Sequence, residues 1–310
     1  MTIEQLLSRI EIINEGTKYW LVRTNKGDLF DEYINKGYIS LGWDYLTLDE
    51  LNGKNEEAIK TKIAKFEGFD SSKTIDKIKI TSSYNKLITF LNIKKNDVIL
   101  IPSRNSDRIA FGKVDDGNIY EDDTKVEDGS YFKKRKVTWY EIKNIRDLNP
   151  VFYQIKSNQH SISSIDRFAP YVDRVMENLY IKDNTTHYVL NIQKNENINF
   201  EDLKILMDNI NILVKNINDE FGFNENLDEF YIKINLNSKG AIELIKAGKS
   251  LAVMAYILSL VSCGNGDNEK NSHIKKILAD NATVLNQTTK TIDSLEVDIN
   301  GLTKPFKDGK

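Results

Sequence analysis

The sequence predicts an α+β protein in two domains. Residues 1–150 form a small β-barrel with flanking helices, and residues 151–310 form an α+β domain ending in helices. Three observations carry this. The first half holds a series of short β-type runs, each with an aromatic or basic residue, and these runs contain all three tryptophans. The second half alternates short strands with long amphipathic segments. Between the halves, Asp147-Leu148-Asn149-Pro150 is a turn-forming stretch that marks a boundary.

Each element follows from its pattern. Residues 1–15 put Ile3, Leu6, Leu7, Ile10 and Ile13 on one helical face. Residues 18–23 and 37–43 alternate as strands; in the second, Ile39, Leu41 and Trp43 share one face and Tyr38, Ser40 and Gly42 the other. Glu56–Phe66 and Thr74–Leu91 read as helices, the latter ending before Asn92. Lys95-Asn96-Asp97 turns into a buried strand, Val98–Ile101, and Arg108–Val114 is a strand after the polar turn Asn105-Ser106-Asp107. Asp115–Gly129 is an acidic exposed loop or hairpin leading to a basic strand, Tyr131–Tyr140. Residues 151–180 read as helical, and His187–Ile192 as a strand. Phe200–Phe221 is an amphipathic helix with Leu203, Leu206, Ile210, Leu213 and Ile217 at helical spacing. A strand over Glu229–Leu236, a turn over Asn237–Gly240 and a long apolar helix over Ala241–Cys263 follow. That helix is interrupted by Lys246 and Lys249 and stopped by Gly264-Asn265-Gly266-Asp267, and residues 270–299 form a last, more polar helix.

Composition narrows the function classes. The 310 residues are 40% hydrophobic and 29% charged, which is enough ordinary globular sequence for two domains. The formal net charge of −3 supplies no global positive field for long duplex DNA, so any nucleic-acid contact is local or the ligand is small. The single cysteine, Cys263, excludes an internal disulfide and a cysteine-based zinc site, and points to a reducing, cytosolic compartment. Met1–Ile13 is polar with alternating charge, unlike a signal peptide. His160, His187 and His273 stand far apart without companions at ligand spacing, and no phosphate-binding glycine loop or nucleophile elbow is present. No catalytic residue, metal or cofactor is therefore assigned. Asp228, Glu229 and Lys233 have the wrong spacing for a restriction-type nuclease; Glu229, Tyr231 and Lys233 do share one strand face.

The motifs of the first half come in a specific order. They are Trp20-Leu21-Val22-Arg23, Gly37-Tyr38-Ile39-Ser40-Leu41-Gly42-Trp43, Asn96-Asp97-Val98, Phe111-Gly112-Lys113-Val114 and Arg135-Lys136-Val137-Thr138-Trp139. In this order they resemble the EVE-like branch of the PUA-like superfamily, as found at the N-terminus of some bacterial restriction-system proteins. The pattern there has Gly-Asp where this chain has Asn96-Asp97, and a Gly-x-Ile strand where it has Gly112-Lys113-Val114. The resemblance covers the first ~140 residues and implies a five- or six-stranded barrel that reads a modified base or nucleotide in an aromatic cage.

The residues themselves allow that chemistry. Trp20, Trp43 and Trp139 offer flat π-surfaces on which a base stacks for about 1–3 kcal/mol; barrel core is the other reading of each. Arg23 and Arg104 suit a phosphate, and Ser103 and the Asn105 amide suit a base edge. In Lys133-Lys134-Arg135-Lys136, Lys134 and Lys136 share one strand face and fit phosphate contacts, or the lysines protect an edge strand. The expected function is a non-enzymatic sensor. Its partners are a nucleotide, modified base or short oligonucleotide, a second copy in a homo-oligomer, and a protein encoded nearby. The resemblance places it in bacterial defence against phage. Two other readings stay open: a membrane-disrupting or channel-forming effector acting through 241–263, and a restriction-type enzyme with its site in 151–310.

Overall fold

The computed structural model describes residues 2–122, 131–235, 240–266 and 269–306. The chain opens with a one-turn helix α1 (Ile3–Leu7), capped by Thr2, and a short strand β1 (Glu11–Ile13). The single helix expected over residues 1–15 therefore ends at Ser8. Glu11-Ile12-Ile13 instead pairs in parallel with a strand from the second half, Leu179–Lys182. Strand β2 (Tyr19–Val22), helix α2 (Phe30–Lys36), strand β3 (Tyr38–Leu41) and helices α3 (Leu48–Gly53), α4 (Glu56–Glu67) and α5 (Thr74–Leu91) follow. Strands β4 (Val98–Pro102), β5 (Arg108–Glu121) and β6 (Lys133–Asn144) come next, then α6 (Tyr153–Lys156), β7 (Ile162–Ser164) and α7 (Ala169–Met176). The last third runs β8 (Leu179–Lys182), β9 (Thr185–Asn191), α8 (Phe200–Phe221), β10 (Phe230–Asn235) and β11 (Ala241–Ala247). It closes with α9 (Ser250–Ser262), α10 (Ser272–Asp280), α11 (Ala282–Ser294) and α12 (Ile299–Thr303).

These elements divide into two compact units, Gly16–Met176 and, together, Met1–Glu15 with Glu177–Lys310. The boundary lies beyond the Pro150 expected from sequence. Residues 151–176 are not one helical run: they carry α6, β7 and α7, and their Phe152, Ile155, Phe168, Val172 and Met176 bury one face of the first unit's sheet with Leu21, Leu100 and Phe111.

In the first unit the strands lie in the order β3-β6-β5-β4-β2-β7, with β2 and β4 parallel and the other neighbours antiparallel. The sheet is a curled half-barrel, open between β3 and β7, rather than a closed barrel. Its second face carries Val22, Ile39, Ile99, Ile101, Ala110 and Val137, covered by α4 and α5 through Ile59, Ile63, Ile80, Leu87 and Phe90. Strand β5 continues to Glu121, past the expected end at Val114, with a bulge between Val114 and Ile119. Of the acidic stretch Asp115–Gly129, residues 123–129 lie outside the described residues.

The second unit is a five-stranded sheet, β1-β8-β9-β11-β10, with one face packed against α8 and α9. The apolar helix expected over Ala241–Cys263 is two elements. Ala241–Ala247 alternates, with Ile242 and Leu244 turned to the core, and pairs with β9 and β10 as strand β11. Gly248 then turns the chain at φ +100°, and α9 begins at Ser250. At 13 residues α9 is about 20 Å long, short of the ~30 Å of a bilayer core. No helix among the described residues is long and apolar enough to cross a membrane. Leu251 through Leu258 are all buried in the core of this unit.

The N-terminus of α9 is held from a distance. Glu225 accepts from the backbone N–H groups of Lys249 and Ser250, from the Ser250 hydroxyl and from Lys246 Nζ at 2.8 Å. A Cβ on Gly248 would stand 2.3 Å from this carboxylate, so only glycine lets it in. Burial alone would raise the Glu225 carboxyl, but Lys246 and the Ser250 hydroxyl outweigh it and hold the group below its usual value of 4.5. The last polar helix expected over 270–299 is broken at Asn281 and again at Glu296, whose φ is +51°. Of the two expected turns, residues 237–239 and Asp267 lie outside the described residues.

Candidate functional site

The first unit carries the sequence motifs, and several motif residues have a defined task in the half-barrel. Asn96 sits at φ +67°, a left-handed conformation that Asn tolerates better than most side chains. Asp97, buried at the start of β4, accepts from Trp20 Nε1 at 2.9 Å, Lys94 N at 3.0 Å and Lys18 N at 3.2 Å. It thereby ties β2 to the turn after α5. Gly112 is a packing requirement: a Cβ there would stand 2.6 Å from both Trp139 Cε3 and Val137 Cγ1. Trp139 lies across this gap and donates its indole N–H to the Tyr33 carbonyl at 2.8 Å.

The basic cluster is mostly internal, against both readings offered by the sequence. Strand β6 lies between β3 and β5, so it is not an edge. Lys133, Lys134 and Arg135 are each 1% exposed. Lys133 donates to the carbonyls of Trp43 (3.0 Å) and Leu46 (3.1 Å) and to Asp44. Arg135 donates to the carbonyls of Phe90 and Leu91, the open C-terminal end of α5, and to Gly117. Burial lowers the Lys133 ammonium from its usual value despite Asp44, and pushes the Arg135 guanidinium down to about 10. Lys134 pairs with Asp122 at 2.8 Å and lies over the Tyr38 ring, whereas Lys136 is exposed. Lys134 and Lys136 therefore do not form one phosphate-binding face.

The predicted polar residues gather at one end of β2 and β4. Arg23 is half-buried, its backbone N–H on the Ser161 carbonyl (2.8 Å) and its guanidinium on the Ser106 hydroxyl (3.3 Å); burial lowers its pKa. Ser103 is buried and accepts from Arg108 N at 2.9 Å, which closes the tight turn that exposes Arg104 and Asn105. Thr24 Oγ1 donates to the Pro102 carbonyl, and Gly27 packs against the Arg104 backbone, so the turns after β2 and β4 brace each other.

The tryptophans differ in what they leave free. Trp20 and Trp139 use their indole N–H groups inside the fold. Trp43 is half-buried, and no hydrogen bond from its indole is found among the described residues. It sits at φ +61°, a left-handed conformation rare for a bulky residue. The clamp on its carbonyl by Lys133 stabilises this backbone. Around it stand Tyr131, whose ring packs on Gly42, and Tyr45, stacked on the exposed Phe66 at 4.5 Å. Sequence reasoning missed Tyr45, Phe66 and Tyr131, and read Lys133 only as part of a basic cluster, because only the fold brings residues 42–45, 66 and 131 together.

A second feature was not legible at all. Between α5 and β7 runs a groove of about 560 Å³. Its α5 wall presents Thr74, Lys77, Ile78, Thr81, Ser82, Asn85, Lys86 and Thr89, and its other wall His160 and Ile162. Its lining contains no carboxylate, and no ion pair engages Lys77, Lys86 or His160 among the described residues. Ile162 and Trp20 both face this side of the sheet, as do Trp43, Tyr45 and Tyr131. No group of three or more His, Cys, Asp or Glu able to hold a metal ion occurs among the described residues.

Residues 18–166 match a family described as "Domain of unknown function (DUF8426)". This span falls within the half-barrel unit and covers every motif named above. No curated protein and no solved structure matches the chain.

Proposed function

We propose that the half-barrel unit is a PUA-like, EVE-like module that binds a nucleotide or short single-stranded nucleic acid, and that the chain is a non-enzymatic sensor in bacterial defence against phage. The α5–β7 groove carries this reading. It is a carboxylate-free channel of lysines, hydroxyls, an amide and a histidine in a chain whose net charge is −3, a local cationic surface suited to a phosphate backbone. The half-buried Trp43, with Tyr131, Tyr45 and Phe66, supplies stacking surface for a base on the same side of the sheet. The braced turns bearing Arg23, Arg104 and Asn105 add polar groups at one end. The second unit passes the bound state to an assembly of copies or to a partner encoded nearby.

The test is binding of a fluorescent single-stranded oligonucleotide to the full chain across a salt series. Lys77→Ala with Lys86→Ala should weaken binding and reduce the salt slope by about 1.4, since each phosphate contact on a single strand contributes about 0.7. Trp43→Ala should weaken binding by about 1–3 kcal/mol without changing that slope. Binding unaffected by all three substitutions would overturn the assignment.

A further inference from the structure

One edge strand of the second unit's sheet, β10, has no strand on its outer side among the described residues. Strand β10 pairs only with β11 among the described residues, so its other backbone edge is open. Tyr231, Ile232 and Ile234 are 60%, 41% and 48% exposed, and Glu229 and Lys233 are exposed beside them. A largely apolar edge of this kind is a template for another strand; proline and bulges are missing from it, and its charges are Glu229 and Lys233.

The sequence of the strand identifies the occupant. In an antiparallel ladder, opposed residues point their backbone groups to the shared edge alike. Two identical strands joined along the same edge therefore pair about an axis through one residue. An axis through Glu229 or Lys233 sets like charges face to face. An axis through Phe230 or Ile232 sets Lys233 against Leu227 or Tyr231. With the axis at Tyr231, Glu229 of each copy lies opposite Lys233 of the other, and Phe230 opposite Ile232. The apolar pairs then fall on the side where Phe230 already packs on the core, and the ion pairs on the other side, where Lys233 lies 3.8 Å from Glu243 of its own chain.

We propose that two copies of this chain dimerise through β10, antiparallel about Tyr231, joining their sheets into one. This rests on the assembly part of the function proposed above and not on the ligand, so a monomeric chain that still binds oligonucleotide would separate the two.

Sedimentation equilibrium of the full chain provides the test. The parent should be a dimer at micromolar concentration. Glu229→Lys and Lys233→Glu should each weaken self-association about tenfold or more, by opposing like charges twice per dimer. Their equimolar mixture should restore parent-like affinity as a heterodimer, because both cross-strand pairs between positions 229 and 233 then again join an acid to a base; a merely misfolded variant would not be rescued. In a Cys263→Ser background, Tyr231→Cys should oxidise to a covalent dimer, since residues at the axis fall within disulfide reach. A parent that is monomeric at roughly 100 μM, self-association indifferent to Glu229→Lys, or a mixture without heterodimer would overturn the proposal.

Discussion

Replacing Asp97 by alanine tests the central joint of the half-barrel. Asp97 is 3% exposed and is the common acceptor for three donors from separate segments: the β2 side chain Trp20, the backbone entering β2 at Lys18, and the turn after α5 at Lys94. A hydrogen bond to a charged group contributes about 1.5–3 kcal/mol, and donors left without an acceptor carry their desolvation cost as well. The three contacts share one side chain and are not additive, and the backbone donors are near the surface. A loss of about 3–5 kcal/mol is therefore expected, a large share of a domain's total stability. Asp97→Asn keeps one acceptor oxygen and should lose roughly half as much. Because all three tryptophans lie in residues 16–176, tryptophan fluorescence of the full chain, excited beyond the tyrosine absorption band, follows this unit alone. In urea the alanine variant's fluorescence midpoint should fall by about 2 M, taking a slope near 2 kcal/mol/M. A midpoint matching the parent's to within about 0.5 kcal/mol of stability would refute the role assigned to Asp97.

Two further outcomes follow from the packing and the charges. Gly112→Ala forces a methyl group against Trp139 and Val137 and should cost about 1–3 kcal/mol, with altered Trp139 emission; an unperturbed spectrum and stability would contradict the packing account. For Glu225, the folded-state carboxyl titrates below its unfolded value of 4.5, so its stabilisation is complete above that pH and is lost as the pH falls through the folded value. Far-UV circular dichroism of the full chain should thus show acid unfolding of the second unit that Glu225→Gln makes less steep, and an equal pH dependence in the variant would count against the cap on α9.

Local pattern was enough for much of this protein. The helix over Phe200–Phe221 falls at the residues its periodicity predicts, because it is amphipathic over several turns and its ends are set locally by the Asn199 cap and by Gly222, and the helix over Thr74–Leu91 also falls where expected. The α+β class and the strands around Trp20, Val98 and Arg108 were legible for the same reason. Short segments were not. Glu11–Ile13 and Ala241–Ala247 are strands because partners far along the chain, at Tyr180 and Leu190, complete their ladders, and apolar content alone does not separate a short buried strand from a helix. The roles of the charged residues were also a tertiary decision. Lys133 and Arg135 look like surface charge in sequence, yet strand order places them inside, where the carbonyls of Trp43, Leu46, Phe90 and Leu91 offset the cost of burying them. The α5–β7 groove exists only because folding sets His160 and Ile162 beside a helix some seventy residues earlier, a distance over which sequence periodicity carries no information.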